Sequence, residues 1–273
     1  MDYSYFHKES SDLTTGNKVN VKLLGDSGEV FYEIAKEMVE TIKENNTAGK
    51  RTVFIIPVGP VGQYPIFNRL VAEDEVSLSS CYFINMDEYL DDEKQYLPLD
   101  HKLSFRGFME DCVYSQIPEH LSVPVAQRIF PDPNDPTKVQ NLIDTLGGVD
   151  IAFGGIGING HLAFNEPQES LSVEKFSKLE TRALEISSET RVANAIGNLN
   201  GAIDAMPRFA VTLGMRQILG ARKIRLGVFR AWHQAVLRQT LFGEISTHFP
   251  ATLLQSHPDA LIYSNNVACQ RPF

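Results

Sequence analysis

Apolar positions recur along this chain in two rhythms. Short apolar or alternating runs mark strands at Lys18–Leu24, Thr52–Ile56, Leu78–Asn85, Val149–Phe153, Phe209–Leu213, Ile224–Phe229 and Ala260–Tyr263. One further short strand is expected near Arg128–Phe130, inside a proline-rich connection spanning 116–136. Between the strands the spacing turns helical. Val30, Phe31, Ile34, Ala35, Met38, Val39 and Ile42 fall on one face of a helix running to about Asn46, with Asp26 and Glu29 at capping-box spacing. Further helices are predicted from Pro65 to about Ala72, around Lys102–Tyr114, from Pro136 to Leu146, from Thr190 to Asn198 and from Ala231 to Leu241. Strands alternating with helices imply an α/β fold: a single-domain, Rossmann-like, mostly parallel sheet with helices on both faces. Residues 1–17 are expected to form an N-terminal arm, residues 18–273 the domain, and the polar segment 168–189 a lid or surface insertion.

Three loops follow predicted strands, at 57–64, 85–90 and 154–167. In a parallel sheet those ends share one edge, where ligands bind. The richest loop, Gly154-Gly-Ile-Gly-Ile-Asn-Gly-His-Leu-Ala-Phe-Asn-Glu-Pro167, carries His161 and Glu166 beside Asn159 and Asn165. Its glycines allow positive φ and close backbone approach to a ligand. With Asp87-Glu88 on a second loop, the set offers a general base and a separate acid/base group. Taken singly, the loop also fits a Gly-rich turn with a satisfied histidine, and Asp87-Glu88 a helix cap or surface pair.

A net charge of −9 without a Lys/Arg-dense run argues against nucleic acid as a partner. Three widely spaced cysteines without a C-x-x-C pattern argue against a disulfide framework or zinc knuckle, and no metal-ligand spacing is present. The N-terminus has no signal-peptide pattern and no apolar run approaches membrane-spanning length, so a cytoplasmic protein acting on a small molecule is expected. Association into a homo-oligomer is left open.

Asn85-Met-Asp-Glu-Tyr89 together with Gly154–Pro167 closely resembles the glucosamine-6-phosphate deaminase (isomerase) family. The likeness extends to Thr190-Arg-Val-Ala-Asn194, Ala210-Val-Thr-Leu-Gly214 and the Pro250–Pro258 region. The related 6-phosphogluconolactonases share the start of the glycine loop but diverge after it. The resemblance implies a cofactor-free aldose–ketose rearrangement of a sugar substrate with loss of ammonia. It implies Asp87 as the base moving a proton between C2 and C1, and His161 as the group protonating the ring oxygen during ring opening. Glu166 and Asn159 would support His161, Asn159 standing where the family usually has Asp. Gly59, Glu88, Gly155, Gly157, Asn165, Arg230 and His233 would contact the substrate.

Departures from the family pattern cluster where a sugar phosphate would sit. Val58-Gly-Pro-Val-Gly62 replaces a Thr/Ser-Gly-Gly-Thr-Pro type loop, Ile196 falls on an arginine position, and His233 on a lysine position. Arg230 and His233 are candidates for a substitute anion site. An altered substrate, with no phosphate or a different anion, is therefore expected. The competing expectations are a lactone or ester hydrolase using the same His161, and a non-catalytic sugar-binding homologue.

Overall fold

A computed structural model describes residues 3–273. In chain order the strands are β1 (Asn20–Leu24), β2 (Thr52–Ile56), β3 (Cys81–Asn85), β4 (Asp87–Leu90), β5 (Arg128–Ile129), β6 (Ile151–Gly154), β7 (Arg182–Glu185), β8 (Phe209–Thr212), β9 (Lys223–Val228) and β10 (Ala260–Asn265). Seven of them form a sheet in the order β1-β10-β9-β6-β2-β3-β5, parallel throughout. All five residues of β2 are buried, as expected of a strand covered on both faces.

Alternate residues of the strands feed two separate cores. Val53, Ile55, Ile84, Ala152, Leu226 and Ile262 face helices carrying Val139, Ile143, Val236, Leu237 and Leu241. Phe54, Ile56, Phe83 and Phe153 face the opposite side, against Ile34, Met38 and Ile42 of the Ser27–Thr47 helix and Phe67 of the Gln63–Glu73 helix. Phe54 sits edge-on to Phe153 at 5.1 Å between ring centroids. Burying each such side chain contributes about 1.5–3 kcal/mol.

The expected parallel sheet is thus present, but a second sheet was not legible. β4, β8 and β7 form a small antiparallel sheet. Phe209–Leu213 therefore supplies a strand of this sheet, not of the parallel one. The segment 85–90, expected as a loop, holds β4 instead, and Met86 joins the two sheets by giving its N–H to Ile56 and its carbonyl to Leu213. The segment 168–189 carries a helix (Val173–Ser177) with Phe176 fully buried, and then β7. It is an integral part of the fold: one apolar residue and a strand pairing outweigh its polar composition.

The N-terminal arm is also built in, residues 1 and 2 lying outside the described residues. Ser10–Leu13 is helical with Leu13 fully buried, and the Arg238 guanidinium grips the carbonyl of Lys8. The predicted helix around Lys102–Tyr114 shortens to Phe105–Cys112, capped by Ser104, whose hydroxyl accepts from Gly107 N–H.

Candidate active site

The order of the parallel sheet reverses between β2 and β6. From β2 the chain proceeds to β3 on one side; from β6 it reaches β9 on the other. The loops leaving these strands diverge and open a crevice, the usual ligand position in such sheets. A cavity of about 670 Å³ lies there, lined by Pro57–Gly62, Gly155–Gly157, Asp87, Tyr89, His161, Phe229, Arg230, Trp232 and His233, among others. Asp87, His161, Gly59, Gly155, Gly157, Arg230 and His233 are thus brought together; Asn159, Glu88, Asn165 and Glu166 do not line the cavity.

Strand alternation separates the two neighbouring carboxylates. Asp87 and Tyr89 point to the cavity, whereas Glu88 points to the opposite face of β4. There its carboxylate accepts from the backbone N–H groups of Tyr89, Phe105 and Arg106, at 2.9, 2.9 and 2.8 Å. Glu88 therefore anchors a helix N-terminus, a correction to its expected contact with substrate. Asp87 is 8% exposed and has no such donors. Burial, with the Glu88 charge adding to it, pushes its pKa up to about 8.

The tautomer of His161 is set by Asn159. The Asn159 Oδ1 receives the backbone N–H of His161 at 3.3 Å, which orients the carboxamide, and it lies 2.7 Å from Nδ1. Nδ1 must therefore carry the proton, leaving Nε2 as the acceptor. Thr190 Oγ1 lies 3.2 Å from the same Nδ1. Burial holds the His161 pKa down at about 4, and an asparagine partner supplies no charge to oppose this. The ring lies flat against Gly157: a Cβ there would stand 2.0 Å from His161 Cε1. Gly157→Ala should consequently displace the ring and lower turnover at least tenfold while leaving the melting temperature within a few degrees, checked by steady-state assay and calorimetry.

Two expected partners serve structure instead. Glu166 accepts from Ser187 N–H at 3.2 Å, and no hydrogen bond joins it to His161. Asn165 is fully buried, donates to the carbonyls of Leu162 and Leu213, and accepts from Arg182. With Thr212 Oγ1 accepting from Phe164 N–H, these contacts clamp the end of the glycine loop on the small sheet. Asn165 thus holds the loop rather than the substrate, and Glu166, expected to support His161, bonds Ser187 through Oε2 and keeps a buried, unpartnered Oε1.

Helix Ser188–Leu199 was recognised, but not its role. Thr190 and Asn194 stand one turn apart on its inner face, the first at His161, the second donating to Tyr89 Oη at 3.0 Å. That polar i, i+4 pair is the signal in the sequence that could have located them. Lys102, Phe31 and Trp232 also line the cavity without any local pattern to mark them.

The chain is 32% identical over 236 residues to the glucosamine-6-phosphate deaminase of Clostridium perfringens strain 13, covering 84% of this chain and 89% of that protein. It belongs to the glucosamine-6-phosphate deaminase family. The enzyme of the same name from Thermoanaerobacter pseudethanolicus is 29% identical, over 85% of this chain and 88% of its own length. Among solved structures, a monomeric glucosamine-6-phosphate deaminase superposes with a TM-score of 0.77 at 28% identity, covering 91% of this chain and 98% of the other. The 6-phosphogluconolactonase of Trypanosoma cruzi shares the fold, with a TM-score of 0.64 at 17% identity over 91% and 94% of the two chains. No protein-family model matches the chain.

Against this family background the departures at 58–62, 196 and 233 acquire geometry. Ile196 is 67% exposed and turned away; the helix shows Asn194, Gly197 and Asn198 to the cavity, so Ile196 is not a wall of the site. His233 is buried, its Nδ1 accepting from the N–H groups of Phe229 and Arg230 at 3.0 and 2.9 Å, its Nε2 donating to Ile156 carbonyl at 3.1 Å. Both nitrogens are committed, and burial lowers its pKa to about 3. His233 is a neutral brace between two loops and cannot share in an anion site. Gly59, at φ 129°, occupies a conformation that favours glycine, and Pro60 beside it has no N–H to offer a ligand.

Proposed function

We propose that this protein is a cofactor-free amino-sugar isomerase-deaminase whose substrate lacks the 6-phosphate or carries a different anion in its place. The observation that carries this reading is the pairing of Asp87, a buried carboxyl with pKa about 8, with a tautomer-locked His161 on one cavity. His161 Nε2 takes the anomeric hydroxyl proton and returns it to the ring oxygen, opening the sugar. A ring that is neutral above pH about 4 must take a proton before it can protonate the ring oxygen, so His161 acts first as a base. Asp87, ionised, removes the proton from C2 and delivers it to C1. The resulting imine at C2 takes up water and releases ammonia, leaving a ketose.

The altered anchor is supported by Val58, Pro60 and Val61 in the loop and by the neutral His233. A hydrogen bond to a charged group contributes about 1.5–3 kcal/mol, so losing several costs on the order of a thousandfold in kcat/KM. The test is ammonia release from glucosamine and from glucosamine 6-phosphate side by side. Slow turnover of the phosphate ester is expected; kcat/KM above roughly 10⁴ M⁻¹s⁻¹ on it would refute the altered anchor.

Two further results are expected. His161→Gln should depress turnover of a cyclic substrate at least tenfold more than that of an open-chain analogue; equal losses would remove the ring-opening role. The base must be ionised to act, so kcat/KM should rise with pH through about 8 and level off above it. At pH 7 only about a tenth of the protein would carry the active carboxylate. A flat profile between pH 6 and 9 would be inconsistent with Asp87 as the base.

A further inference from the structure

Arg230 is the feature of the cavity that this chemistry leaves unused. Its guanidinium lies 6.0 Å from the rings of both Phe229 and Trp232, and no carboxylate stands within ion-pair distance of it among the described residues. It reaches over Gly197, where a Cβ would stand 3.4 Å from its Nη1. Glycine is a poor residue for a helix interior, and here its lack of a side chain leaves the guanidinium an open path along the cavity wall. β9, which leads to Arg230, stands three strand positions from β3, which leads to Asp87, a span of about 14 Å. The cation thus serves the end of a ligand remote from the reacting carbons.

We propose that Arg230 anchors a carboxylate at the distal end of the substrate, making the substrate an amino-sugar acid, a 2-amino-2-deoxyhexuronate, in place of a hexosamine phosphate. The inference rests on the amino-sugar reading above and deepens it. One guanidinium matches one planar monoanion, with two parallel hydrogen bonds available to a carboxylate. A phosphate dianion would leave its second charge against Val58, Val61 and the Phe31 ring, which packs over Gly62 and edge-on to Phe229 at 4.8 Å. Lys102, the other cation on the cavity, follows the β3–β4 side of the fold. A neutral substituent would gain no charge pairing from the guanidinium.

The experiment compares glucosamine, glucosamine 6-phosphate and 2-amino-2-deoxyglucuronate by calorimetric binding and by ammonia release, with the native protein and with Arg230→Gln and Arg230→Lys. The acid should bind tightest. Arg230→Gln should raise its KM by about 10–100-fold with a much smaller change in kcat, the mark of an anchor felt equally in ground and transition states. The loss on neutral glucosamine should be at least tenfold smaller, and Arg230→Lys should recover part of the affinity because it keeps the charge without the fork. Unchanged melting of both variants is expected, since the guanidinium is exposed and makes no ion pair. A preference for the phosphate or the neutral sugar, or equal losses on all three, overturns the proposal. Ammonia from none of the three would reject the deaminase reading, while the order of affinities and its dependence on Arg230 would still decide the anchor.

Discussion

Asp87→Asn is expected to reduce kcat by about 10²–10⁴-fold, the usual contribution of a positioned general base. The carboxamide is nearly isosteric and keeps the cavity's shape, but it cannot accept the C2 proton. The same substitution should leave the fold as stable as before below about pH 4, and increasingly more stable as pH rises from there to about 8. The sign follows from linkage: the folded pKa of about 8 lies above the ordinary value of 3.8, so the folded state holds the proton more tightly. The contribution of Asp87 to stability is therefore full below pH 4 and is lost as pH rises through 8. Asparagine removes that loss. Turnover measured beside thermal melting at pH 6 and pH 9 separates the effects. Retention of more than a tenth of kcat would sink the assignment of Asp87 as base.

Arg238→Met should be the most damaging substitution away from the cavity. Arg238 is fully buried in the His233–Phe242 helix, yet it makes no ion pair among the described residues. Its guanidinium is spent on carbonyls: Lys8 at 2.9 Å, Gln234 at 3.0 Å, Cys269 at 2.9 Å and Gln270 at 2.7 Å. It thereby ties the N-terminal arm and the C-terminal segment to the same helix. Methionine fills much of the volume but leaves buried acceptors unpaired, at about 1–3 kcal/mol each. A loss of about 3 kcal/mol or more is expected, or roughly 6–12 °C in Tm. Denaturant titration would measure it; a loss below about 1 kcal/mol would show that water replaces the guanidinium at those carbonyls. Substrate affinity of the surviving folded fraction should be unchanged, since Arg238 does not line the cavity.

Much of the frame was legible because burial on both faces leaves a periodic trace. The strand at Thr52–Ile56 and the helix carrying Ile34, Met38 and Ile42 follow from unbroken apolar runs and i, i+4 spacing. The glycine loop was legible for a related reason. A chain that must lay the His161 ring against its own backbone needs glycine at 157, and that requirement shows as composition. The order of chemical motifs also carried the family resemblance without reference to any contact.

Tertiary structure alone decided what each polar group does, because a hydrogen bond is a relation between residues remote in sequence. Nothing local distinguishes Asp87 from Glu88. The pairing of β4 with β8 sends one into the cavity and the other to the start of the Phe105–Cys112 helix, where its charge is consumed. Asn165 and Glu166 adjoin His161 in sequence yet bond to Arg182 and Ser187. His233 stands where a cation was expected, but three backbone partners from two loops fix it as neutral. Ile196 faces outward on its helix, and its neighbour Gly197 faces Arg230. The small antiparallel sheet was not legible because β4 and β7 are four residues each, and the pairing that draws Phe209–Thr212 to them joins segments far apart in the chain. Short strands have too little period to declare themselves, and they are stabilised by pairing that only the folded chain supplies.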